Sequence, residues 1–141
     1  MADTAVLDRY YRAWVRHDLN ATLATLAPEV EYVNPPYAVE PGTRHGREAF
    51  WKALARFEEM VGLSTIEIEE RAEAGDRVVI VARAKGRTRS GGVPVDTRIV
   101  HVWTLRDGLI SRLEWFLDPA EGYAAAGIER PLGELRGGAQ P

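Results

Sequence analysis

Apolar positions recur at helical spacing early in the chain and at alternating spacing later, and the change of period marks out the elements. Val6, Tyr10, Ala13/Trp14 and His17 fall three to four residues apart and predict a first helix, with Arg9, Arg12 and Arg16 mostly off that stripe. Asp3 or Thr4 is placed to cap it, because a short oxygen-bearing side chain accepts from an orphan N–H of the first turn. Asp18-Leu19-Asn20 breaks the pattern. Asn20 is then expected to cap a short second helix carrying Leu23 and Leu26, which stops near Pro28. From Val30 the period is two: Val30, Tyr32 and Asn34 share one face of a short strand, ended by Pro35-Pro36, whose nitrogens cannot donate to a ladder. Residues 37–46 hold Pro41, Gly42 and Gly46 and predict a loop. A third helix over 47–61 carries the stripe Phe50, Leu54, Phe57 and Val61, with Gly62 as a left-handed stop.

The remainder predicts strands at 64–74, 77–89, 93–106 and 109–117. They are joined at Gly75-Asp76, Gly91-Gly92 and Asp107-Gly108, the last a strong hairpin signal because both central residues of a type I′ turn need positive φ. Asp118 is placed to cap a final helix that runs through Ala126 and stops at Gly127. Consecutive strands with tight turns predict an antiparallel meander, one face of which the helices must cover. The expected fold class is α+β: a curved antiparallel sheet wrapped as a cone around three N-terminal helices, with an open end suited to a small molecule. Residues 1–128 form one expected domain, and 129–141 an expected flexible tail.

Composition narrows the class. The 141 residues are 45% hydrophobic and 28% charged, enough for one packed domain without staples. Eighteen Lys+Arg against 21 Asp+Glu leave a net charge of −3, which argues against a nucleic-acid binder. Without cysteine there is no disulfide framework, thiolate metal site or thiol nucleophile. The N-terminus lacks a secretory pattern, and no apolar run approaches the ~18 residues of a membrane span. A cytoplasmic location is the expectation, without membrane association. His45 and Glu48 have metal-like spacing but no evident third ligand, so no metal and no cofactor are expected. Phosphate-cradling, nucleophile-elbow and dinucleotide motifs are absent.

Three stretches carry a resemblance: Tyr10-Tyr11-Arg12-Ala13-Trp14 with Asp18-Leu19; Leu26-Ala27-Pro28-Glu29-Val30-Glu31-Tyr32-Val33-Asn34-Pro35; and His101-Val102-Trp103-Thr104-Leu105-Arg106-Asp107-Gly108-Leu109-Ile110 running into Phe116-Leu117-Asp118. Together they resemble the SnoaL-like branch of the nuclear transport factor 2-like superfamily, related to ketosteroid isomerases. The resemblance implies the cone fold, and an activity drawn from isomerases, cyclases, dehydratases, epoxide hydrolases or non-catalytic modules. It implies that Tyr10 stands at the phenol position of the isomerases. Asn34 then stands where they carry the base, and His101 where they carry a second oxyanion donor. The later-strand Asp of polyketide cyclases and epoxide hydrolases falls on Trp115, with Glu114 one residue off and so on the opposite face. Tyr32 and Asn34 resemble the water-holding pair of the epoxide hydrolases.

The residues themselves allow two readings each. His101, in the apolar run Ile99-Val100-His101-Val102-Trp103, is either an acid/base titrating near neutrality or a hydrogen-bonded core histidine. Asn34 either holds a substrate oxygen with Tyr32 or caps the Pro35-Pro36 turn. Tyr10 and Trp14 lie on the inner face of the first helix, as core or as pocket wall. Trp51, Trp103 and Trp115 form either an apolar lining or packing. The expected catalytic set is His101, Asn34 and Tyr10, and the expected substrate-binding set is Trp14, Tyr32, Trp51, Trp103 and Trp115. The expected partners are a small apolar organic ligand and a second copy of the chain. A homodimer is expected through the outer sheet face, where Val100, Val102, Ile110 and Phe116 are apolar. If chemistry occurs, it is proton shuffling without a cofactor; the alternative is a non-catalytic ligand-binding or protein-interaction module.

Overall fold

The computed structural model describes residues 4–131. Within them lie helices α1 (Ala5–Val15), α2 (Leu19–Leu23), α3 (Arg47–Met60) and α4 (Pro119–Ala126). The strands are β1 (Leu26–Asn34), β2 (Gly42–His45), β3 (Val61–Ala74), β4 (Arg77–Thr88), β5 (Pro94–Arg106) and β6 (Leu109–Phe116). The α+β class and the curved, unclosed sheet stand as expected. The sheet order is β2-β1-β6-β5-β4-β3. It is antiparallel except at β1–β6, which pair in parallel through registers such as Tyr32↔Leu113. No tight turn joins those two strands, so nothing local forces them to oppose each other.

Several boundaries moved for physical reasons. Thr4 is the N-cap of α1 but makes no side-chain cap bond; Asp3 lies outside the described residues. Asp18 rather than Asn20 caps α2, its carboxylate accepting from the Ala21 N–H at 3.0 Å. Pro28 does not stop a helix; it lies within β1. The expected loop 37–46 contains β2, which pairs antiparallel with β1. Gly42-Thr43-Arg44-His45 has no apolar residue to alternate, so only pairing with β1 reveals it as a strand. Gly62 is not a left-handed stop. Helix α3 runs straight into β3, and the Arg89 N–H, just past the end of β4, donates to the Met60 carbonyl at 2.9 Å and satisfies the helix end. The Asp107-Gly108 turn does have positive φ at both residues, 53° and 77°.

The main core lies between the inner sheet face and α1–α3, with Val6, Leu7, Phe50, Val78, Ile80 and Trp103 among its buried members. Helix α4 packs on the other face instead. Val79, Val81, Val100 and Val102 are buried there beneath Tyr123 and Ala126. The helices thus cover both faces rather than one. Val100 and Val102, from which a dimer interface was expected, are covered within the same chain, and Ile110 belongs to the inner core. Gly122 allows the close approach, since a Cβ there would stand 2.4 Å from the Val100 Cγ1. Beyond α4, Arg130 binds Glu70 at 2.6 Å. The rest of the expected tail, 132–141, lies outside the described residues.

Candidate functional site

A cavity of about 290 Å³ opens between α1, α3 and the inner face of β3–β6, near the lower end of the roughly 300–1,000 Å³ typical of small-molecule pockets. Two alanines, Ala53 on α3 and Ala84 on β4, line it where larger side chains would fill the gap. Aliphatic residues such as Leu54, Ile99 and Leu113 complete most of the wall. Tyr10, Tyr32, Thr97 and His101 are the polar residues of the wall, whereas the Trp14 indole N–H is occluded and that of Trp115 is held by Asn34. Among the described residues, none that lines it is Asp, Glu, Lys or Arg.

His101 borders this cavity and is only 6% exposed. Its Nδ1 lies 2.6 Å from the Tyr11 hydroxyl, which also accepts the Trp103 indole N–H at 3.0 Å. The rings of Tyr11 and His101 are stacked with centroids 5.7 Å apart. Burial holds the imidazole down at about 3, so it is neutral at pH 7. The expected acid/base titration near neutrality therefore gives way to a neutral hydrogen-bonding ring. Burial pushes the Tyr10 and Tyr11 phenols well up, and Tyr32 in the same direction. These hydroxyls keep their protons and act as hydrogen-bonding groups.

Of the expected catalytic set, the cavity brings together His101 and Tyr10 but not Asn34. The Asn34 Oδ1 accepts the Trp115 indole N–H at 2.6 Å, and its Nδ2 donates to the Glu40 carbonyl at 2.8 Å. An indole N–H can only donate, which fixes the amide orientation. Asn34 thus pins Trp115 in the cavity wall and closes the loop after Pro35-Pro36. It lines a separate polar groove with Glu40, Arg44, His45, Lys52 and Arg56, which shares Tyr32 and Ala53 with the cavity.

Of the expected substrate-binding set, Trp14, Tyr32 and Trp115 line the cavity. Trp51 is 41% exposed and does not line it, since it projects from the solvent side of α3. Trp103 is fully buried; packed against Tyr10 at 4.8 Å between centroids, it backs the site from the core. The missed residue is Tyr11. Leu7, Tyr11 and Trp14 are spaced four and three apart, a second inner stripe that α1 buries beside the first. His17, expected at a helix C-terminus, contacts Glu58 Oε1 at 2.8 Å and the Leu63 carbonyl at 3.0 Å, tying the end of α1 beside the cavity wall.

Comparison with known proteins fits this architecture. The SnoaL-like domain family matches residues 7–113. The chain belongs to the SnoaL-like family. No curated protein matches it. Among solved structures, a nuclear transport factor 2-like protein from Burkholderia thailandensis is 28% identical with a TM-score of 0.69, covering 93% of this chain and 99% of its own. TerC, co-crystallised with polyporic acid, is 26% identical with a TM-score of 0.67, covering 87% and 96%. A Bacillus subtilis protein described as a candidate isomerase reaches a TM-score of 0.74 at 17% identity, covering 89% and 92%, and is similar in fold. This SnoaL-like chain also resembles a Sinorhizobium meliloti protein described as a candidate polyketide cyclase, at 25% identity and a TM-score of 0.62, with 79% and 94% covered. No helix among the described residues is long and apolar enough to cross a membrane.

Proposed function

We propose that this SnoaL-like protein binds a small, neutral, mostly apolar organic molecule in the cavity between α1, α3 and the sheet. The observation that carries the reading is the lining: among the described residues it is mostly apolar, free of ionised side chains, and furnished with phenols and one neutral imidazole. Charged ligands would lose their hydration there without a counter-charge, a cost of several kcal/mol or more. Apolar ligands would gain about 25 cal/mol for each Å² removed from water. The solved structure of TerC with polyporic acid supports an organic guest in this fold.

Isomerisation, cyclisation or water addition needs a group that accepts a proton. The described residues of the lining offer no carboxylate, and burial makes His101 a poor base at neutral pH. Binding is therefore the stronger reading, and hydrogen-bond polarisation of a bound oxygen is the chemistry the side chains can support. The test is a thermal-shift and calorimetric screen of neutral aromatic ketones, enones and epoxides against the wild type and Ala53→Phe, which places a ring in the cavity. Binding by the wild type that disappears in a folded Ala53→Phe supports the site. Equal binding by both proteins, or none by either, overturns it.

A further inference from the structure

The proton on the cavity side of His101 can be traced from Trp103. An indole N–H has a proton to give and no lone pair to receive one, so the 3.0 Å bond between Trp103 Nε1 and the Tyr11 hydroxyl runs in one direction only. Tyr11 has accepted at its oxygen, and its own single proton needs an acceptor. The only other polar contact of that hydroxyl among the described residues is His101 Nδ1, at 2.6 Å. Were Nδ1 protonated, two N–H groups would converge on the Tyr11 oxygen and the phenol proton would have no acceptor. Tyr11 therefore donates to Nδ1, and the imidazole proton resides on Nε2. Nε2 makes no hydrogen bond within the described residues, yet it is not among the occluded polar atoms, and the cavity is the open space that His101 borders.

From this geometry, and resting on the cavity reading above, we infer that Tyr11 is a positioning residue which sets the His101 tautomer so that Nε2–H is offered to the cavity, selecting ligands that present a hydrogen-bond acceptor such as a carbonyl or ether oxygen. The direction is inherited along the relay: Trp103 donates to Tyr11, Tyr11 to His101, and His101 to the ligand. Polar ligands that can only donate meet a site already carrying a proton. Burial reinforces the arrangement by disfavouring the imidazolium, which would put a second proton against Tyr11.

Two measurements test this on the whole chain. The first is nitrogen-15 NMR of the His101 ring without ligand. The expected result is an unprotonated Nδ1 and a protonated Nε2 in the wild type at pH 7. In Tyr11→Phe the population is expected to shift toward the other tautomer, a change that packing loss alone does not produce. A protonated Nδ1 in the wild type overturns the inference, and this arm needs no variant to fold. Should Tyr11→Phe not fold, Tyr11→Met serves instead, because it likewise removes the hydroxyl that faces Nδ1 while keeping side-chain bulk, and is expected to produce the same shift. An unchanged tautomer in a folded variant overturns the role given to the relay.

The second measurement compares acetophenone with its near-isostere α-methylstyrene, which replaces C=O by C=CH₂. The wild type is expected to favour the ketone by about 3- to 10-fold, as one net hydrogen bond allows, and folded Tyr11→Phe is expected to lose most of that preference. Equal affinity of the wild type for both probes overturns the selection while leaving the cavity reading intact. Binding of neither probe in the assigned cavity defeats the cavity reading and the selection with it, while the tautomer is judged separately by NMR.

Discussion

Strand β5 presents two faces that are finished in opposite ways. Outward, Val100 and Val102 are sealed beneath Tyr123 and Ala126 of α4, in a purely apolar contact without a cavity-lining role. Inward, Trp103 is also sealed, but His101 and Ile99 reach the space left between α1 and α3. Around the middle of the strand, alternation puts Val100 and Val102 on one face and Ile99, His101 and Trp103 on the other, so both faces carry apolar residues there. What differs is the covering element. Helix α4 is short and rich in small residues, so it settles closely onto the valines. The inner helices meet the sheet through bulky aromatic residues, and Ala53 on α3 and Ala84 on β4 line the space left between them. A small-residue contact gives a solid seam, and an aromatic one leaves room for a guest.

The sharpest way to break the inner face is Trp103→Ala. It opens a void under His101 and removes the donor to Tyr11, and should cost about 3–5 kcal/mol in urea denaturation. Gly122→Ala attacks the outer face, driving a methyl into Val100, and should cost about 1–3 kcal/mol. Ligand binding should survive that change, since α4 does not border the cavity; loss of binding in folded Gly122→Ala would show the two faces to be coupled.

A pH titration separates the faces without disrupting packing. The His101 imidazole has an ordinary value of 6.5 and is held at about 3 in the folded protein. Between those values the unfolded chain binds a proton that the folded chain refuses, so stability falls as pH falls through that window and the contribution is lost progressively below 6.5. The expected loss from this residue is about 2 kcal/mol between pH 6.5 and 5. His101→Phe should flatten that part of the profile relative to the wild type, as measured by denaturation midpoints at several pH values. A parallel pair of profiles would remove His101 as the source. The smallest effect belongs to Trp51→Ala, whose ring is exposed and away from the cavity; stability should change by less than about 0.5 kcal/mol and probe affinity should not change.

The amino-acid sequence determined the α+β class, the long strands and the Asp107-Gly108 hairpin, because those depend on local period and on a turn whose φ values few residues tolerate. It also placed Tyr10, Trp14, Tyr32, His101 and Trp115 on inward faces that line one cavity. Tertiary structure alone decided that β2 is a strand, since its residues have no pattern until β1 supplies a hydrogen-bonding edge. It decided that β1 and β6 run parallel and that α4 covers the outer valines, because neither relation is set by neighbours in sequence. The chemical character of the site was decided in the same way. A histidine in an apolar strand is open to titration or to burial, and the packing that buries it brings its hydrogen-bond partner, Tyr11, from ninety residues away along the chain. Burial disfavours the charged ring and the Tyr11 hydroxyl faces Nδ1, which favours the neutral, hydrogen-bonded histidine of the two readings the sequence left open.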